Sequence, residues 1–105
     1  DIGKILLKVI DKDPTTMNPF EKIVYWAYLA VNSVYQEFGS VKDYFAEHEE
    51  LSIEDIREKL KNKALEDVKN FAQTNGVELS ATDIATASSI IEVFVLILKL
   101  TIEKN

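Results

Sequence analysis

Val93-Phe94-Val95-Leu96-Ile97-Leu98 is the stretch whose reading decides between an all-helical chain and a mixed one. β-Branched and aromatic residues favour strands. A short apolar run does not distinguish a buried strand from a buried helix by periodicity alone. Its surroundings do. A strand needs a neighbour to pair its backbone groups, and no other segment reads as one. Upstream, Ser80-Ala81-Thr82-Asp83 places a capping hydroxyl three residues before an acid, the signature of a helix start. The run is therefore expected to lie within a helix over 81–103.

The same signature recurs outward from that point. Ser52-Ile53-Glu54-Asp55 opens an amphipathic helix over 53–75. Ile53, Ile56, Leu60, Ala64, Leu65, Val68, Phe71 and Ala72 fall on one stripe of it, and Asn75-Gly76 ends it. Asn18-Pro19-Phe20-Glu21 adds a proline at the first helical position and predicts a helix over 19–38, stopped by Gly39. Ser40-Val41-Lys42-Asp43 opens a short helix over 41–48. Ile2, Ile5, Leu6, Val9 and Ile10 recur at helical spacing with Lys4 and Lys8 opposite, giving a first helix over 2–11 that ends before Pro14. The expected fold is all-α, a small bundle of four to five helices in a single domain over 1–105.

Composition narrows the function classes. The chain has 105 residues, 47% hydrophobic and 29% charged, values of a globular domain able to bury one core. Its net charge is −6, with 18 acids against 12 bases. Phosphate backbones are gripped by clustered Lys and Arg, so nucleic acid is disfavoured as a partner. Arg57 is the only arginine. The basic cluster Arg57, Lys59, Lys61 and Lys63 is interleaved with Glu54, Asp55, Glu58 and Glu66, which describes a salt-bridge-laced exposed helix. Without cysteine there is no disulfide and no thiolate site. No signal pattern is read over Asp1 to Asp13 and no membrane span anywhere. A soluble, cytoplasmic protein is expected.

Two helices are more apolar than a small bundle needs. From Ile23 to Gln36 no residue is charged, as in helices buried all round. The segment from Ile84 to Ile102 is similar, interrupted mainly by Glu92 and Lys99. One such helix is easily wrapped by a domain of this size; two suggest a second subunit. Tyr25, Trp26, Tyr28 and Tyr35, with Phe94 and Leu98, are the candidate interface residues, rich in the types enriched at interfaces. A homo-oligomer, first of all a dimer, is expected. On this reading an acidic or basic residue in place of Trp26 breaks the assembly and leaves the domain folded.

Chemistry-bearing patterns are sparse. His48, the only histidine, sits in Glu47-His48-Glu49-Glu50 without the spacing of a zinc or carboxylate-bridged metal motif. It reads as a solvated helix-end residue. Asp11-Lys12-Asp13-Pro14-Thr15 resembles the opening of an EF-hand loop. Thr16 replaces its turn glycine, however, and Lys22 its bidentate glutamate. Gly3, Gly39 and Gly76 are isolated, so no phosphate loop exists, and paired carboxylates have lysines at helical spacing, as in Asp55 with Lys59 and Glu58 with Lys61. No catalytic residue, metal ligand or cofactor is assigned.

Ala64 to Gly76, followed by Asp83-Ile84-Ala85-Thr86-Ala87, resembles the end of a histone fold: a long helix, a short loop and an Asp-Ile-x-x-Ala helix. The likeness covers about a quarter of the chain. Val77-Glu78 stands where that family has a basic loop residue, and the last helix is longer and more apolar. The same region resembles a helix-turn-helix with Gly76 in the turn. Its recognition helix would be Ala81 to Ile91, which lacks Lys and Arg. These likenesses imply a nucleic-acid-associated regulator. Against it stand the expected function, a non-enzymatic protein–protein interaction or assembly module, and a third alternative, a metal-dependent enzyme with an acidic site around Glu47 to Asp55.

Overall fold

The computed structural model describes residues 2–37, 43 and 46–103, with the side chains of these except 2, 53 and 98–103. Four helices are described: α1 (Ile2–Ile10), α2 (Pro19–Glu37), α3 (Ile53–Thr74) and α4 (Ala81–Glu103). Val93 to Ile97 is helical, and no strand occurs among the described residues. The fold is all-α. Of the helix expected over 41–48, residues 43, 46 and 47 are helical, while 41, 42, 44 and 45 lie outside the described residues, as do Phe38, Gly39 and Ser40.

Local chemistry places the helix starts where the sequence puts them. At the head of α2, Asn18 Oδ1 accepts the Glu21 N–H at 2.8 Å, and Glu21 Oε1 accepts the Asn18 N–H at 3.1 Å. Ser52 with Asp55 closes the same reciprocal box on α3 at 3.1 Å in each direction. Ser80 with Asp83 closes it on α4 at 3.1 and 3.0 Å. Each box satisfies two backbone donors that a helix start leaves unpaired. At the end of α3, the Val77 N–H donates to the Ala72 carbonyl at 2.8 Å and the Gly76 N–H to that of Gln73 at 3.1 Å. Gly76 takes φ 70 to close this turn, a left-handed conformation that costs glycine little. Asp13, third in the calcium-like run that opens at Asp11, caps the 3-10 turn Pro14–Thr16 instead, accepting from the Thr15 N–H and hydroxyl.

α2 is the central helix. It contacts α1, α3 and α4, and α3 and α4 contact each other. No residue from Glu21 to Asn32 is exposed, which accounts for the charge-free stretch beginning at Ile23. α3 presents Ile56, Leu60, Ala64, Val68 and Ala72, a row at four-residue spacing, the ridge that packs into the groove of a neighbour. α4 contributes Ala87, Ile90, Ile91 and Phe94. Alanines at 27, 30, 64, 72 and 87 in this core let the axes approach. α1 adds Leu6 and Val9, and its end is tied to α2 by the Lys12–Glu21 ion pair. Glu21 is buried and keeps its charge. Hydrogen bonds from Lys12 and from the Asn18 N–H hold its carboxyl below the ordinary range, outweighing the opposing effect of burial.

Candidate interaction surface

The residues expected at an interface divide into two groups. Trp26 is 7% exposed and Phe94 3%, both packed in the chain's own core. This corrects the expectation that a charged residue at 26 leaves the domain folded. Tyr25, Tyr28 and Tyr35 are half-buried. Tyr28 and Phe94 meet across α2 and α4 with ring centroids 5.8 Å apart and planes at 61°, the edge-to-face geometry that aromatic quadrupoles favour. The Leu98 side chain lies outside the described residues.

Other apolar side chains face outward. On α1, Ile5 is 59% exposed and Leu7 43%, and Phe20 at the head of α2 is 50%. The sequence signal for this was present. Residues two apart on a helix do not share a face, so Ile5 and Leu7 cannot both turn to the core that takes Leu6. Ile5, counted in the core stripe by periodicity, sits instead at its edge. On α4, Leu96 is 51% exposed in line with Ala85, Ser89 and Glu92, the outward stripe of that helix.

Lys22, Tyr25, Trp26 and Leu29 lie on one side of α2, at spacings of three and four. With Phe71 of the last turn of α3 and Asn75 just after it, and Pro14 and Met17 of the loop, they line an open hollow of about 350 Å³. A second hollow, about 280 Å³, lies between α3 and α4 over Val95 and Leu96, among Glu54, Arg57, Glu58, Lys61 and Glu92. The Lys61–Glu92 ion pair joins the two helices there. The described members of the acidic run do not gather: Glu47, Glu49, Glu50, Glu54 and Asp55 are exposed, and Asp55 is engaged with Ser52. Among the described residues no three His, Asp or Glu side chains converge as a metal site, and no helix is long and apolar enough to cross a membrane.

Asp67 is set apart from the other acids. Partial burial on α3, with help from the charges of Glu37 and Glu66, raises its carboxyl above the ordinary range, and Lys63 only partly offsets this. The folded chain thus binds the Asp67 proton more readily than the unfolded chain. The stability contributed by that proton is present below the ordinary carboxylate range and lost as pH rises through the raised value. Asp67→Asn is expected to melt above the parent at pH 7, with the gap closing toward pH 3. A gap of constant size across a melting series over that range would refute the assignment.

Comparison of the chain with protein-family models, with curated proteins and with solved structures finds no match in any of the three.

Proposed function

We propose that this chain is a non-enzymatic helical interaction module that associates through apolar side chains its own helices leave uncovered, with a second copy as partner. The observation that carries the reading is α1, which buries Leu6 and Val9 yet leaves Ile5 uncovered on one flank of that stripe and Leu7 on the other. Singly exposed apolar side chains are ordinary on a protein surface. Two on a nine-residue helix, with Phe20 and Leu96 elsewhere, are a surplus.

Magnitude sets the strength of the association. Full burial of an Ile, Leu or Phe side chain stabilises by roughly 1.5–3 kcal/mol. Even all four side chains, already half covered, amount to about 4 kcal/mol, no more than the lower end of the roughly 4–15 kcal/mol that association costs, and Ile5 and Leu7 on different faces of α1 do not enter one contact in full. The proposed interface therefore extends onto half-buried Tyr28 and Tyr35 of α2, and the dimer is weak and concentration-dependent.

Light scattering on a sizing column tests this. The mass is expected to rise from 11.9 kDa toward twice that value with increasing concentration. Ile5→Glu with Leu7→Glu is expected to hold the mass at the monomer value, at a stability change within about 1 kcal/mol for two surface substitutions. A monomer at every concentration, or a double variant that associates like the parent, overturns the reading.

A further inference from the structure

We propose that the hollow between the start of α2 and the end of α3 binds a small aromatic carboxylate, independently of whether the chain self-associates. Three observations converge. The first is its wall: Met17, Tyr25, Trp26, Leu29 and Phe71 supply aromatic and aliphatic surface, with a comparable share of polar surface in the same lining, the mixture that a small molecule with one apolar and one polar end requires. The second is its size. A cavity of about 150 Å³ takes a benzene ring. A hollow of about 350 Å³ accommodates a fused two-ring system with a short polar group.

The third is charge. No acid lines this hollow, and its only charged group is Lys22, in a chain whose net charge is −6. By contrast, the hollow over Leu96 carries Glu54, Glu58 and Glu92, and the one at Gly76 carries Glu78. Among the described residues, neither the Lys22 ammonium nor the Tyr25 hydroxyl is paired with another protein group. Lys22 and Tyr25 stand one helical turn apart on the same side of α2, so both donors can reach one carboxylate. Asn75 is held in place by donating its side-chain amide to the Phe71 carbonyl at 2.7 Å, which fixes the far wall. Such a ligand lays its apolar ring against Trp26 and Phe71 and its anion at Lys22 and Tyr25.

The test is a titration with naphthoate followed by heteronuclear NMR, reading the indole N–H of Trp26, the only tryptophan. A saturable shift of that signal and of the Phe71 and Asn75 amides is expected. Naphthalenemethanol, with the same rings and no charge, is expected to bind about tenfold more weakly, since a hydrogen bond to a charged group is worth roughly 1.5–3 kcal/mol. Lys22→Met is expected to weaken naphthoate about tenfold and leave the alcohol unchanged, whereas Lys59→Met, far along α3, changes neither. Should Lys22→Met fail to fold, Tyr25→Phe serves in its place with a several-fold loss for the acid alone. Absence of any saturable shift, or equal affinity for acid and alcohol, overturns the proposal. So does a shift produced by an acidic aromatic peptide and not by the free acid, which makes the hollow a protein-docking site.

Discussion

Trp26→Ala is expected to cost about 3–5 kcal/mol of unfolding free energy, the range for truncating a large aromatic in a core. Trp26 is 7% exposed and belongs to the same buried cluster as Val24, Ala27 and Ala30 on α2. One edge of its ring borders the hollow that Phe71 also lines, so fewer contacts are lost there and the lower half of the range is expected. For a domain of this length each kcal/mol lowers the melting temperature by roughly 4–8 °C, which makes the expected fall at least about 12 °C. An acidic residue at 26 loses the same packing and adds a desolvated charge. Such a variant is a test of folding and not of assembly. Thermal unfolding followed by circular dichroism decides the matter: a Trp26 variant that melts with the parent places the indole outside the core.

Phe94→Ala is expected to be as damaging, again about 3–5 kcal/mol. Phe94 is 3% exposed in the middle of α4, and its ring meets that of Tyr28 on α2 edge-on at 5.8 Å. Truncation opens a cavity in the core cluster that α2, α3 and α4 share, and helices held at several points relax into such a gap only partly. The aromatic pair adds a separable contribution of roughly 0.5–1.5 kcal/mol beyond buried area. Urea denaturation of Phe94→Leu, Tyr28→Leu and the double variant isolates it, with the two single losses exceeding the double loss by that amount. Additive losses would show that the rings share no specific interaction. An unchanged dependence on denaturant across the series is expected, because the surface exposed on unfolding is nearly the same.

Helix starts and stops were legible because they are written within four residues. Asn18 with Glu21, Ser52 with Asp55 and Ser80 with Asp83 are reciprocal hydrogen-bond pairs at fixed sequence separation. No distant contact is needed to recognise them. The helical state of Val93 to Ile97 followed by elimination, since nothing else in the sequence offered a strand to pair with. The central position of α2 was legible in its lack of charge. The direction taken by individual aromatic side chains was not. Trp26 and Tyr25 are adjacent in sequence and both suit an interface by type, yet one faces the core and the other is half-covered.

Periodicity, capping and absence of charge are local properties, and they suffice for the helical class, the start of α2, the boundaries of α3 and α4 to within a residue or so, and the burial of α2. Which apolar surface stays uncovered follows from how the helices pack together. Trp26 of α2 and Phe94 of α4 go into the shared core, α1 turns Ile5 and Leu7 outward, and the ends of α2 and α3 leave a hollow with Lys22 as its one charge. Those outcomes depend on which helix covers which face, and that is set by contacts between residues tens of positions apart.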